Sequence, residues 1–540
     1  MNNEFRVLGP PGTGKTTYLA RQIERAASKF GSSNIVVASY TRAAAAVLNR
    51  RDLPIPRENI GTLHALCYRA LKERGYEIAE VNAASFNEEH EGDAITLASQ
   101  NMDEMAVDAN FVTDGDKHLN TYNLYRAKCL DLSTMPRDTI RWVKLWESWK
   151  FRRNVIDFTD MITITLDAQI PLEGDPLVGF YDEAQDFNKL ELQLVRHWAR
   201  NQDHVILSGD DDQTIYSFAG SSPDAFLDGN IADDHVRVLD QSWRLPRKIH
   251  EYSQRWIKQL KNRVPKEFKP RDIEGMVGTI DATYKDPEKA VEFAAKYAQD
   301  GKTVMILTSC GYLLNPVKSC LRANGLTFHN PYRASRGDWN PMGRFHANVG
   351  NGKTTTRERI LAFFDKYGDT VNDSYWSLDD LVKWLDIVRV RGVLKKGARA
   401  ILDERIENKN LYVPDKKEFY QQLFEPFALE KALQRDVPWF REVLLSAKRN
   451  VAEYPLNIYQ KHGRQTLEER PRIIVGTIHS VKGAEADVTI IFPDLSIAAM
   501  KEYEKTKDSI IRTFYVGITR SRESLIICKP ASGACVPLRY

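Results

Sequence analysis

Eight residues near the start, Gly9-Pro10-Pro11-Gly12-Thr13-Gly14-Lys15-Thr16, fit the pattern G-x-x-x-x-G-K-[ST] in full. Glycines in such a run let backbone N–H groups converge on phosphate oxygens at a helix N-terminus. The lysine neutralises the β- and γ-phosphates, and the threonine hydroxyl is a ligand for Mg2+. A turn that merely caps a helix would use the same glycines. The chemistry also needs a strand before the loop and a helix after it, and both are present at residues 5–8 and 18–30. A second group is Asp182-Glu183-Ala184-Gln185-Asp186, directly after the apolar run 177–181. A carboxylate at the end of a buried strand can hold Mg2+, which suits Asp182. Its neighbour Glu183 can position and deprotonate an attacking water. Alone, that acidic run would pass for a solvated face; beside a phosphate loop it is a catalytic candidate. The stretch 347–354 imitates the phosphate loop, but Ala347 stands where the first glycine belongs and no buried strand precedes it. It is expected to be a loop and a helix start.

These groups need a scaffold that brings strand ends together. Short apolar runs at 5–8, 35–38, 177–181 and 204–207 alternate with helical periods, as in a parallel α/β sheet. Residues 70–155 are polar and helical, ending in a helix with Trp142, Trp146 and Trp149 on one face. That stripe is expected to be core, although Lys144, Lys150, Arg152 and Arg153 around it also suit nucleic acid. Strand character returns at 303–308, 472–475, 487–492 and 525–528, with a helical stretch at 331–465 between. The expected fold is α/β: two parallel-sheet cores, each interrupted by a mostly helical insertion.

Composition sets the limits. The chain has 540 residues, which at roughly 150 per domain suggests three to four domains. Hydrophobic residues at 42% and charged residues at 28% are ordinary for a globular protein and exclude extended disorder. The net charge of +3 is too small to identify a partner, since a basic groove can hide in a neutral total. No apolar run reaches the roughly 18 residues of a membrane span, and the first residues show no signal peptide. The six cysteines (Cys67, Cys129, Cys310, Cys320, Cys528, Cys535) form no C-x-x-C pair, which argues against zinc and disulfide scaffolds. A cytoplasmic protein is expected, either in a bacterial cell or, given the compact ends, as a phage protein in its host.

With these residues in view, the chain resembles the superfamily 1 DNA helicases of the UvrD/Rep/PcrA type. Tyr40-Thr41-Arg42-Ala-Ala is similar to the family's T-F-T-N-K-A-A. Gly61-Thr62-Leu63-His64-Ala65-Leu66-Cys67 is similar to its T-F-H-S-F-C segment, and Asp157-Phe158-Thr159-Asp160 to D-F-D-D-L. Asp182 to Asp186 match D-E-x-Q-D, and the run Gly209 to Gln213, Tyr216 and Phe218 resembles G-D-x-D-Q-S-I-Y-x-W. Gln241-Ser242-Trp243-Arg244 resembles Q-N-Y-R. Thr477-Ile478-His479-Ser480-Val481-Lys482-Gly483-Ala484-Glu485 resembles T-I-H-S-A-K-G-x-E. Tyr515 to Ser521 resemble Y-V-A-x-T-R-A.

The resemblance implies two RecA-like motor domains with ATP and Mg2+ between them. Residues 1–70 plus 155–238 would form the first, with 71–154 inserted. Residues 239–330 plus 466–540 would form the second, with 331–465 inserted. Catalysis would fall to Lys15, Asp182, Glu183, Gln213 as γ-phosphate sensor, and Arg244 and Arg520 as arginine fingers. Nucleotide binding would fall to Gly9, Gly12, Thr13, Gly14, Lys15, Thr16, Thr17, Trp243, Gly483 and Glu485, with Thr16 and Asp182 on the metal. Single-stranded DNA would run along Tyr40, Thr41, Thr62, His64, Tyr216, Phe218 and His479. Core packing is the competing account of Tyr216 and Phe218, and a satisfied buried histidine that of His64. The segment 389–399, with Lys395 and Lys396, loosely resembles an R-G-I-G segment and would touch duplex phosphates unless it is simply a solvated basic turn. The implied activity is ATP-dependent 3′–5′ unwinding by a monomer acting at single-strand/duplex junctions, alongside replication or repair proteins that the sequence does not identify and with no membrane. Protein displacement with little unwinding, a nucleotide-gated binding module, and RNA as the track are the alternatives.

Three departures stand out. With Gly9 only eight residues from Met1, the family's glutamine-bearing segment is not expected before the phosphate loop; Thr17 replaces a base-stacking arginine, and Ala219 replaces an arginine after the track aromatic. Base selectivity and coupling are the properties these put in question. The chain ends soon after Arg520, so no C-terminal nuclease or partner-binding tail is expected.

Overall fold

The computed structural model describes residues 3–41, 45, 48, 49, 51–96, 113–229, 231–334, 336–343, 354–365, 375–408 and 416–538. Arg42 of the Tyr40 segment, and Ala347 and 350–353 of the loop that imitates the phosphate loop, lie outside these described residues.

The first sheet contains β1 (Glu4–Leu8), β2 (Ile35–Ser39), β3 (Ile60–Gly61), β4 (Val178–Asp182), β5 (His204–Gly209) and β6 (Val236–Val238), in the order β3-β2-β4-β5-β1-β6. Its pairs are parallel, and β2 and β4 are buried along their whole length. Continuous apolar runs follow from burial on both faces of a parallel sheet. Helix α1 (Lys15–Phe30) covers one face with Leu19, Ile23 and Ala27, which pack on Ile35, Val37 and Phe180. Their spacing of four residues puts them on one stripe. The helix starts after Gly14 (φ 79°) and stops at Gly31 (φ 87°), both in conformations that favour glycine. Leu66, Cys67, Ala70 and Leu71 of the helix Leu63–Glu73, with Leu194 and Val195, close the other face.

Strand β7 (Gln241–Pro246) pairs with β8 (Lys269–Arg271) as a separate two-stranded element. The second large sheet contains β9 (Met276–Ile280), β10 (Val304–Thr308), β11 (Phe328–His329), β12 (Ile473–Thr477), β13 (Ala486–Ile491) and β14 (Ser521–Cys528), in the order β11-β12-β10-β13-β14-β9. The α/β class with two parallel-sheet cores, expected from the sequence, is the class observed, and each sheet has six strands.

By compactness the chain divides into Met1–Asp286, Met305–Leu314 and Gly476–Tyr540 as one unit, and Pro287–Val304 and Asn315–Val475 as another. The first unit includes the helical stretch with Ala83–Glu89, Asp114–Ala127 and Arg137–Arg153. There Trp142, Trp146 and Trp149 are buried and stacked in series at 5.5 Å, with Phe86 meeting all three rings edge-on. The stripe is core. Lys150, on the same helix, is also buried and bonds Asp157 at 2.9 Å and Asp160 at 2.5 Å. The second unit is mostly helical around stacked aromatics such as Phe363 and Phe440, whose centroids lie 3.9 Å apart. None of the described helices is long and apolar enough to cross a membrane.

Candidate nucleotide site and nucleic-acid track

The first unit carries the whole set of residues expected to handle the nucleotide. The sheet order places the ends of β4, β5 and β1 side by side, with Leu8 opposite Gly209 and Ser39 opposite Asp182. Loops at the carboxyl ends of parallel strands are where α/β sheets bind ligands. The loop after β1 is pinned by Gly9 N–H to Gly209 O at 2.9 Å and by Thr13 Oγ1 to Pro10 O at 2.7 Å. Lys15, at the first position of α1, folds back over the loop. Its Nζ donates to Gly9 O at 3.1 Å and lies 3.7 Å from Glu183 Oε1. Thr16 and Thr17 follow on the same turn, Thr17 exposed.

Asp182 ends β4 and is buried. Its Oδ1 is enclosed and has no hydrogen-bond partner. Burial, then the neighbouring charge of Glu183, pushes its carboxyl up to about 7 despite Lys15. A divalent cation at that oxygen would supply the partner it lacks, so Asp182, with the Thr16 hydroxyl in the first turn of α1, is chemically suited to Mg2+. Glu183 sits in the left-handed region at φ 54°, a strained position for a residue with a side chain. Burial raises its carboxyl too, but Lys15, Lys482 and the amide of Gln185 outweigh that and hold it well below the usual range. Gln185 Nε2 donates to Glu183 Oε2 at 2.6 Å, and its Oε1 accepts from Asp210 N–H at 3.0 Å.

Two arginines distant in sequence reach the same place. Ser242 donates to Pro11 O at 2.8 Å and Trp243 N–H to Gly12 O at 2.8 Å, so β7 is fastened to the phosphate loop. A Cβ at Gly12 would overlap Arg244 Cβ, so only glycine allows this approach. Arg244 Nε donates to Glu485 Oε2 at 2.8 Å, and Arg522 holds the other oxygen of Glu485 at 2.9 Å. Arg520 is buried and donates to Val516 O, Ala484 O and Gln213 Oε1 at 2.9, 3.0 and 3.1 Å. Burial, with Arg244 beside it, lowers its guanidinium to about 9. Gln213 in turn donates to Asp210 Oδ2 at 2.7 Å. Gly483, at φ 82°, lets the chain turn between Lys482 and Glu485.

The expected track residues fall into two sets. Tyr40, Tyr216, Phe218 and His479 make one aromatic cluster with centroid separations of 5.2 to 6.1 Å. Tyr216 is only 4% exposed and serves as its packed centre, while Phe218 and His479 are half-buried. Thr41 is half-buried beside Tyr40, and Thr62 caps the helix Leu63–Glu73 by accepting from Ala65 N–H. His64 stands edge-on to Phe158 at 5.6 Å and, with Phe218, lines a cavity of about 170 Å3. In the second unit Lys395 Nζ donates to Gln421 O at 2.8 Å, Arg389 pairs with Glu442, and Gly392 and Gly397 adopt positive φ, with Lys396 exposed.

Sequence reasoning missed the role of Lys482. Its Nζ bonds Asp186 Oδ2, donates to Gln213 O at 2.8 Å, and lies 5.2 Å above the Tyr216 ring. It therefore touches the acidic box and the aromatic cluster at once. Lys266, Arg263 and Arg512, which neutralise Asp210 to Asp212, were missed as well. They lie in no motif, and their partners are 51 or more residues away, so spacing carries no signal.

Sheet order, phosphate loop and paired carboxylates define a P-loop nucleotide-binding protein built on RecA-like sheets. Residues 1–231 match the family profile of the UvrD/REP helicase N-terminal domain. The chain is 21% identical to a probable DNA helicase II homolog of Mycoplasma capricolum, over 98% of this chain and 82% of that protein. It is 23% identical to the putative ATP-dependent DNA helicase YjcD of Bacillus subtilis, over 53% of this chain and 40% of the relative. It is 24% identical to the ATP-dependent DNA helicase PcrA of Staphylococcus epidermidis, over 48% and 38%. The last two alignments span less than half of those relatives' length. The UvrD/Rep/PcrA resemblance drawn from the motifs is thus met independently by the family match and by these relatives.

Proposed function

We propose that this protein is an ATP-dependent DNA helicase that moves 3′ to 5′ on single-stranded DNA and couples hydrolysis to strand separation. The observation that carries the reading is the convergence on one phosphate loop of Lys15, Asp182 and Glu183 with Arg244, Arg520 and Gln213. The names of the relatives support DNA and ATP; the polarity rests on the motif resemblance.

Lys15 would leave Glu183 to neutralise the β- and γ-phosphates, releasing the carboxylate to orient and deprotonate the attacking water. Asp182 and Thr16 would hold Mg2+, which supplies charge neutralisation between the phosphates. Arg244 and Arg520 would stabilise the charge that develops on the transferring phosphoryl group, a contribution of about 10^3 to 10^5 in rate where arginine fingers act. Gln213, bonded to Arg520, would report the γ-phosphate, and Lys482 would pass the change to Tyr216. Gly9, Gly12, Thr13 and Gly14 would cradle the phosphates, with Trp243, Thr17, Gly483 and Glu485 around base and ribose. Tyr40, Thr41, Thr62, His64, Phe218 and His479 would grip the single strand, with Tyr216 packed beneath them as support, because aromatic faces and hydroxyls hold bases and phosphates without reading sequence. Lys395 and Lys396 would meet duplex phosphates ahead of the junction. Residues 1–70 with 155–238 and 239–330 with 466–540 would act as the two motor halves, with 71–154 and 331–465 as insertions.

The test is ATP hydrolysis with and without single-stranded DNA, alongside unwinding of duplexes tailed at the 3′ or 5′ side. Stimulation by DNA and unwinding of the 3′-tailed duplex are expected. Turnover indifferent to DNA contradicts the reading, and displacement of bound protein without unwinding reduces it to a translocase.

A further inference from the structure

We propose that the groove between α1 and the edge strand β6 docks an extended acidic segment of a partner protein, one that carries an aromatic or large aliphatic anchor among its carboxylates. The groove has a volume of about 400 Å3. Its floor is apolar and half-covered: Phe5 from β1, Ile206 from β5 and Phe30 from the end of α1, with the imidazoles of His204 and His235. The rings are fitted to one another. His235 stacks on Phe5 at 4.0 Å and donates from Nδ1 to Glu4 O at 3.1 Å, while His204 stands edge-on to Phe30 at 5.4 Å. A floor of this kind, left half-exposed at a sheet edge, suits an apolar side chain.

The rim is cationic. Tyr18, Gln22, Arg25 and Lys29 recur at spacings of four, three and four along α1, which puts them on one helix face above that floor. Arg237 of β6 faces them, its guanidinium 5.1 Å from the Tyr18 ring. Arg25, Lys29 and Arg237 are exposed, and among the described residues none of the three forms an ion pair. Asp234 is the only carboxylate among the described residues that line the groove. The excess of positive charge is complementary to an anionic partner. Lys29 lies about 21 Å along α1 from Lys15, at roughly 1.5 Å per residue, so an anion held there is not the nucleotide.

Two observations favour a peptide over a nucleic-acid strand. β6 ends the order β3-β2-β4-β5-β1-β6 and among the described residues has no partner strand on its far side. Leu239 N–H donates to Leu8 O at 2.8 Å. By alternation the backbone groups of Arg237 also face β1, and those of Val236 and Val238 point outward. An extended peptide can pair with that edge and send alternate side chains into the groove. The ring faces that bases would need are also taken. Phe5 is covered by His235, Tyr18 by Arg237, and Phe30 by Lys29, whose Nζ lies 4.7 Å from the ring centroid.

The experiment follows the fluorescence anisotropy of a fluorescein-labelled synthetic peptide, aspartates flanking one phenylalanine, titrated with the full chain at low salt. Control peptides carry alanine for the phenylalanine, or lysine for the aspartates. The variants are Arg25→Glu and Arg237→Glu. Both side chains are exposed and in no ion pair, so both variants should keep the thermal midpoint of the unaltered protein. Saturable binding is expected for the aspartate–phenylalanine peptide, about tenfold weaker without the anchor and absent for the lysine peptide. Each charge reversal should weaken it by about tenfold, and added salt should weaken it further. Absence of binding overturns the proposal, and so does equal binding to the variants and the unaltered protein. Labelled single-stranded DNA, titrated in parallel, should bind all three proteins alike. If the DNA loses affinity in the variants while the peptide does not, the groove belongs to nucleic acid and the peptide reading falls. The readout needs no ATP turnover, so its failure and that of the helicase reading are distinguishable.

Discussion

Two buried acidic boxes stand at the ends of neighbouring strands, and they are finished differently. Asp182 ends β4, with Glu183 and Asp186 after it; Asp210, Asp211 and Asp212 follow β5. The second box is closed. Lys266 lies 3.2 Å from Asp210 and 3.1 Å from Asp212 and also bonds Asp211, while Arg263 holds both oxygens of Asp212 at 2.6 and 2.8 Å. Val264 N–H donates to Asp211 at 2.9 Å, and Arg512 bonds the Asp211 carbonyl at 3.0 Å. The first box is open. Asp182 Oδ1 and Asp186 Oδ1 lack hydrogen-bond partners, and the cations nearby are Lys15, which pairs with Glu183, and Lys482, which pairs with Asp186. Buried charges need compensation. Where protein alone supplies it, the cluster is structural; where part is missing, a ligand is expected to complete it.

That contrast can be broken most forcefully at the open box. Lys15→Ala and Glu183→Gln should each lower kcat by about 10^4-fold or more while the urea midpoint of unfolding hardly moves, since neither leaves a closed network incomplete. Arg520→Ala should follow with a loss of about 10^3-fold in kcat and little change in KM, read from steady-state kinetics. At the closed box the expected damage is to folding. Lys266→Met leaves three buried carboxylates short of a partner, and breaking such a cluster costs about 3–5 kcal/mol, measured by urea denaturation. Saturating nucleotide should not rescue it.

The smallest effect sharpens the comparison through pH. In the folded protein the Asp182 carboxyl is raised to about 7 from an ordinary value of 3.8. The folded state therefore holds a proton that the unfolded chain releases. Stability from this group is fully present below pH 4 and is lost as pH rises towards 7. Asp182→Asn should flatten that part of the urea midpoint profile, a change of about 1–2 kcal/mol after allowing for the coupling to Glu183.

How much of this was legible in the sequence follows from the same contrast. The open box was readable because phosphate chemistry fixes residue types at short spacings: Gly12, Gly14, Lys15 and Thr16 in one loop, Asp182 and Glu183 at one strand end. The strands were readable from apolar runs, and the tryptophan stripe from helical spacing. The closed box was invisible as such. Asp210 to Asp212 resembled a motif, but nothing near them announces Lys266 or Arg263, because any sufficiently long cation at the right depth would serve. Asp157 and Asp160 show a third case. They cap the helix Phe158–Asp167 reciprocally and also hold Arg126 and Lys150, so that motif is a fold device in this protein. Tyr216 was hard to place for a related reason: aromatic residues suit a core and a track equally, and only its burial separates the two.

The most direct measurement compares ATP turnover by the unaltered protein and by Arg520→Ala, each with and without single-stranded DNA. The account predicts DNA-stimulated hydrolysis in the first and its near-complete loss in the second, with nucleotide still bound. Undiminished, DNA-stimulated turnover in Arg520→Ala would contradict the claim that residues of both sheets act on one triphosphate.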